Sequence, residues 1–114
     1  MAIKNTDLKL IRMKRAINAL ISDIKAQAFP VEKIILFGSV LKKEFNEYSD
    51  LDICIVHKDE LTERQLREIE LYFKETVSDE INVDFVYCTL DKLMNGEHVF
   101  ESIRREGVVL YEHI

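Results

Sequence analysis

The chain alternates between stretches in which apolar residues return every three or four positions and short stretches in which they run almost unbroken. From about Asn5 to Ala28, the residues Leu10, Met13, Ile17, Leu20, Ile21, Ile24 and Ala28 recur at helical steps and share one face. Lys9, Lys14, Asn18 and Lys25 fall mostly on the other. Pro30 ends this helix, because the residue before a proline is pushed out of helical geometry. The apolar run Lys33 to Phe37, bounded by Gly38-Ser39, predicts a strand. Val40 to Ser49 is polar and has no clear period, which predicts a short helical turn and a loop.

A second strand is predicted from Asp50 to His57 (DLDICIVH). The next helix announces its start: Thr62 can cap it with Gln65 three residues on, and Leu61 can staple to Leu66. Leu66, Ile69, Phe73 and Val77 make its buried stripe. A third strand, Ile81 to Cys88, precedes a helix from about Leu90 to Arg105 with Leu93, Met94, Phe100 and Ile103 inward. Gly96 weakens the middle of that helix. Gly107 then releases the chain into a last extended piece, Val108 to Tyr111. Strands separated by helices place the chain in the α/β class, with helices packed on a small sheet. No linker-like stretch divides residues 1–114, so one domain is expected.

Composition narrows the picture. A chain of 114 residues buries roughly two-thirds of its unfolded surface, so it needs no disulfide or structural metal. No apolar run approaches the length of a membrane span, and Lys and Arg are mixed through the first twenty-one residues, unlike a signal peptide. A cytoplasmic setting is the resulting expectation. Cys54 and Cys88 sit in apolar runs without metal-ligand spacing and read as buried reduced thiols. The net charge of −5 disfavours sequence-independent binding to nucleic acid. An acidic chain can still use nucleotides if a metal carries the positive charge.

Three carboxylates stand out, because Asp is poorly suited to a strand interior and an unpaired buried carboxylate is costly. Asp50 and Asp52 flank Leu51 at the head of one apolar strand, and Asp84 interrupts another. Strand side chains alternate, so Asp50 and Asp52 share a face while Leu51, Ile53 and Ile55 take the core-facing one. Asp84 shares a face with Asn82 and Val86, opposite Val83, Phe85 and Tyr87. If the two strands are neighbours, all three carboxylates can converge. Two unit charges about 5 Å apart repel by roughly 3 kcal/mol at an effective dielectric near 20. A hard divalent cation relieves this, and oxygen ligands without His or Cys favour Mg²⁺ or Mn²⁺. The chemistry implied is in-line displacement at phosphorus. Gly38-Ser39 sits where the first strand turns into a helical turn, a place where backbone N–H groups favour phosphate. Alone, that dipeptide is an ordinary strand-end turn.

Taken together, Gly38-Ser39, ten residues, Asp50-Leu51-Asp52 and a later strand Asp84 resemble the nucleotidyltransferase superfamily that includes DNA polymerase β. The compact spacing looks most like its minimal, MNT-type members. Their tail often reads Ile-x-x-x-Gly-x-x-Leu-Tyr, which Ile103 to Tyr111 fits, so the resemblance runs from about Ile34 to Tyr111. It implies a polymerase β-like α/β fold, a small mixed sheet flanked by helices. It makes Gly38 and Ser39 the triphosphate-binding turn, Asp50 and Asp52 the metal ligands, and Asp84 the third carboxylate, a further metal ligand and candidate base. Where the family often continues Gly-Ser-Arg-x-Arg-Gly, this chain has Val40 and Lys42 at the arginine positions. Lys42 can bind phosphate only as a point charge.

The resemblance further implies transfer of AMP from ATP, with Mg²⁺ or Mn²⁺, onto a hydroxyl of a partner protein. Minimal nucleotidyltransferases are commonly paired with a HEPN-type protein in toxin–antitoxin modules, as the antitoxin. The alternative is an inactive module that keeps the fold and neutralises a partner by steric cover. The sequence leaves the base preference, the acceptor and homo-oligomer formation open. His57, His98 and His113 read as surface histidines, and Lys42-Lys43 and Arg104-Arg105 as solvated charges, the first pair within reach of a phosphate at Ser39.

Overall fold

The computed structural model describes residues 5–41, 50–58, 61–76 and 82–113. In chain order they form α1 (Asn5–Ala26), β1 (Val31–Phe37), a 3₁₀ turn (Gly38–Leu41), β2 (Leu51–His57), α2 (Glu63–Thr76), β3 (Val83–Thr89), α3 (Leu90–Asn95), α4 (Val99–Glu106) and β4 (Val108–Glu112). The strands make a mixed sheet in the order β3-β2-β1-β4. β1 runs antiparallel to both β2 and β4, and β2 runs parallel to β3. The α2 connection between β2 and β3 is what a parallel pair requires, since no tight turn can return the chain to the same end.

Alternation along the strands builds two cores. Ile34, Leu51, Ile53 and Ile55 turn to one face and pack with Met13, Ala16, Ile17, Leu20 and Ile24 of α1 and Ile69 and Phe73 of α2. Ile35, Cys54 and Val56 turn to the other and pack with Cys88, Leu93 of α3 and Ile103 of α4. The sheet is therefore covered on both faces. The face expected to be core, that of Leu51, Ile53 and Ile55, is only one of them. Leu51, Ile53, Cys54, Ile55 and Val56 are all fully buried, each large aliphatic contributing about 1.5–3 kcal/mol. Cys54 and Cys88 lie in the second core with their sulfurs 3.6 Å apart, unbridged. Among the described residues no helix is long and apolar enough to cross a membrane.

The helix ends show where local chemistry governs. Thr62 and Gln65 form the expected reciprocal cap: the Thr62 N–H donates to Gln65 Oε1 at 2.9 Å, and the Gln65 N–H to Thr62 Oγ1 at 3.2 Å. Val77, expected on the α2 stripe, and Ile81, expected to open β3, lie outside the described residues. α1 stops at Ala26, earlier than the proline demands. The Phe29 N–H donates to Ile24 O and the Ala28 N–H to Lys25 O, both at 3.2 Å, with Ala28 at φ 53°. This pairing closes a helix on a left-handed residue. Ala28, expected on the buried face, is exposed.

The helix expected from Leu90 to Arg105 is two helices. Gly96 adopts an extended conformation after α3, and a Cβ there would lie 2.5 Å from Lys92 O and 2.6 Å from the Phe100 ring. Arg104, exposed as expected, also reaches back from α4 and donates from Nη1 to Leu93 O and Gly96 O, both at 2.7 Å. It thereby satisfies carbonyls that the break leaves without helical partners. The break also rotates Met94 outward, where it is 58% exposed instead of inward as its spacing predicts.

An L-residue in the left-handed region costs about 1–2 kcal/mol. Glycine's extra freedom in the unfolded chain costs about 0.4–1 kcal/mol. Ala28→Gly is therefore expected to stabilise the protein by about 0.5–1 kcal/mol, read from the midpoint of a urea unfolding curve.

Candidate active site

β2 begins where β1 has just ended, so the head of β2 lies beside the turn that follows β1. The register pairs Phe37 with Asp52 on one side of β2, and Asp84 with Asp52 on the other. Register partners share a face, which puts Asp84, Asp52 and Phe37 in one row across three strands. Asp50 immediately precedes β2, not within it as expected, and lies near enough to Asp52 to act on its charge. The carboxylates thus lie on the face of Cys54, Val56 and Cys88, at the end of the sheet beyond the apolar stretch covered by α3 and α4. Asp50 and Asp52 are half-buried and Asp84 is exposed.

Gly38 has a more specific role than its place at a strand end implies. Its φ of 83° belongs to the left-handed region, and a Cβ there would collide with the Asp52 carboxylate, coming within 2.9 Å of Cγ. The absence of a side chain is what lets Asp52 fold over the turn. Ser39 follows in the 3₁₀ turn, half-buried. Val40 packs against the core on the α1 and α2 side, so its side chain has a structural partner. Lys42 lies outside the described residues.

The electrostatics follow from this placement. Desolvation raises the Asp52 carboxyl above its ordinary 3.8, with Asp84 and then Asp50 adding repulsion. Phe37, which the sequence reading did not single out, is the apolar cross-strand neighbour on that row; its position directly before Gly38 was the available signal. Among the described residues no cation is a cause that acts on Asp52. A divalent cation fits such a donor set, because oxygen ligands carrying excess negative charge suit a hard metal. Among the described residues no group of three His, Cys, Asp or Glu side chains stands ready to hold a metal ion, so Asp50, Asp52 and Asp84 do not form a complete ligand set by themselves. Mg²⁺ commonly takes one or two carboxylates and completes its shell with water and phosphate oxygens.

Two outcomes follow. The raised Asp52 pKa means that ionisation costs more in the folded than in the unfolded state. Without metal, the contribution of this group to stability is full below about pH 4 and is lost as pH rises through the folded value. Asp52→Asn removes that decline, so it is expected to melt above wild type at neutral pH in chelator, with the difference vanishing in acid. Gly38→Ala is expected to cost about 1–2 kcal/mol from its backbone alone, plus a clash that disappears in Gly38→Ala/Asp52→Ala. A double-mutant cycle in urea reads the coupling directly.

The comparisons with known proteins identify the fold and the family. The family model for the nucleotidyltransferase domain matches residues 18–109. No curated protein matches the chain. Among solved structures, a protein of Sulfolobus solfataricus assigned as a nucleotidyltransferase superposes with a TM-score of 0.64 at 19% identity, covering 98% of this chain and 91% of its own. A structure assigned as a minimal nucleotidyltransferase gives 0.61 at 24% identity, covering 89% and 93%. A toxin–antitoxin structure with AMP-PNP gives 0.60 at 22% identity, covering 84% and 73%. At these identities the superpositions show a shared fold, whereas the family model spans most of the sequence and the whole acidic row. This chain belongs to the nucleotidyltransferase domain family.

Proposed function

We propose that residues 1–114 act as one minimal nucleotidyltransferase domain that moves AMP from ATP onto a hydroxyl of a partner protein. The observation that carries this reading is the row Asp52–Asp84, with Asp50 beside it, over the Gly38–Ser39 turn. In it, Asp50, Asp52 and Asp84 hold Mg²⁺ or Mn²⁺, which supplies charge neutralisation for the triphosphate and the leaving pyrophosphate. Gly38 and Ser39 present backbone and hydroxyl donors to the phosphates, with Lys42 as a further point charge. The acceptor oxygen bonds to the α-phosphorus as the bond to pyrophosphate breaks, and Asp84 takes the hydroxyl proton. The half-buried placement of Asp52 and the exposed placement of Asp84 suit these separate tasks.

A toxin–antitoxin role is supported by fold likeness to toxin–antitoxin structures, one with AMP-PNP and one a mutant of MntA-HpeT. On this reading the chain is the antitoxin, its partner is a HEPN-type toxin, and both work in the cytoplasm, where ATP is plentiful. A second reading has its own observation. Val40 stands where relatives often carry arginine and packs, partly buried, against the core, so that position offers no charge to a triphosphate. The chain would then neutralise its partner by covering it.

Calorimetric titration of ATP with and without Mg²⁺ separates the two. Metal-dependent binding is expected for wild type and is expected to be lost in Asp50→Asn/Asp52→Asn. That variant should also transfer AMP at least about a hundredfold more slowly while staying folded. Absence of binding at millimolar ATP, with partner inhibition intact, would establish the covering role instead.

A further inference from the structure

The sheet has two edges, and they are built differently. β4 carries a guarded edge: its register with β1 slips between Ile34 and Ile35, leaving Leu110 as an extra residue, and Glu112 is paired with Lys33 at 3.5 Å. A bulge and a charged pair are common devices for blunting an edge. β3 has neither. Its register with β2 is unbroken from Leu51↔Val83 to His57↔Thr89. Its sequence, VDFVYCT, holds no Lys, Arg, Gly or Pro, and its single charge is Asp84.

The phase of the ladder shows which groups are open. The Leu51 N–H donates to Asn82 O at 2.9 Å, so Asn82 turns its backbone toward β2. In a parallel ladder the N–H and C=O of one residue point the same way, and successive residues alternate. Asp84, Val86 and Cys88 therefore also bond to β2, while Val83, Phe85 and Tyr87 turn their N–H and C=O outward. Among the described residues β2 is the only strand beside β3, so no strand takes those groups. Their side chains are meanwhile held in place. Phe85 meets Phe73 edge-on at 5.5 Å and stacks on Tyr87 at 5.8 Å, and the Tyr87 hydroxyl donates to Glu70 at 2.9 Å. An anchored strand of unbroken register, whose outer backbone meets no other strand among the described residues, is a preorganised template for another strand.

What this edge receives is decided by Asp84. A strand added to β3 lies about 4.8 Å away, and half of its side chains stand on the same face as Asp84 and Asp52. We infer that the β3 edge docks an extended segment of the acceptor protein by main-chain pairing and so delivers its hydroxyl to Asp84. This rests on the transfer reading above and adds the mode by which the substrate is recognised. A second copy of the chain fits less well: pairing β3 with β3 would bring two acidic sites together. Recognition through backbone also leaves the segment's sequence largely free, apart from the side chain that meets the carboxylates.

The test uses the whole chain, labelled with ¹⁵N, in Mg²⁺ and ATP. The probe is an acetylated, amidated peptide alternating threonine and valine around a central tyrosine; its control is the same peptide N-methylated at alternate amides. Amide exchange at Val83, Phe85 and Tyr87 is expected to slow about tenfold at nine-tenths saturation, while Asp84 and Val86 keep their rates and the N-methylated peptide has no effect. Unchanged exchange at millimolar peptide, or equal protection by the N-methylated peptide, would overturn the edge as the docking site. AMP transfer to the peptide without that protection refutes the edge and leaves the transfer reading standing. Protection in a protein that binds no ATP does the reverse.

Discussion

The parallel pairing of β2 with β3 sets almost everything else in this protein. Because side chains alternate along a strand, a slip of one residue would move Asp84 to the opposite face, where Val83, Phe85 and Tyr87 now pack against the α1 and α2 core. The same slip would drive those three large side chains to the acidic face. Register is thus held by apolar burial on one side of the sheet, and the alignment of Asp52 with Asp84 on the other side follows from it. The carboxylates do not assemble themselves; repulsion would separate them. Leu51, Ile53 and Ile55, none of them exposed, keep the acids together from the opposite face.

That arrangement concentrates charge at one end of the sheet. Asp52 is squeezed between Phe37 and Asp84 in the row and folded over a glycine that has no room for a side chain. Burial and the two neighbouring acids disfavour the ionised carboxylate. Stability and chemistry pull in opposite directions there, and the two cores on either face supply the surplus. The same end carries the open edge of β3, so the groups that would do the chemistry and the backbone that would present an acceptor belong to one strand.

Where the sequence pattern misled, the cause was a contact or backbone conformation that periodicity does not record. The helical spacing of Met94 is genuine, but Gly96 ends the helix, and Arg104, eight residues on, stabilises the break by binding the freed carbonyls. The end of α1 misled differently. A proline is a visible stop, whereas a left-handed alanine two residues ahead of it leaves no mark in the sequence. Signals written in adjacent residues held: the Thr62–Gln65 cap formed as expected, because both partners lie within one helical turn.

By itself the sequence determined the class of fold, the order of the elements up to the broken last helix, and the faces on which Asp50, Asp52 and Asp84 stand. Those depend on periodicity, which is local. It also supplied the motif that marks the family. The tertiary structure alone decided that β2 and β3 are neighbours, that they run parallel, and that Asp52 and Asp84 are register partners. It alone showed that Gly38 makes room for a carboxylate, that Val40 packs against the core, and that the second face of the sheet is covered too. Strand order and register arise from long-range competition among ways of burying the same apolar residues, and no short stretch of sequence encodes the outcome of that competition.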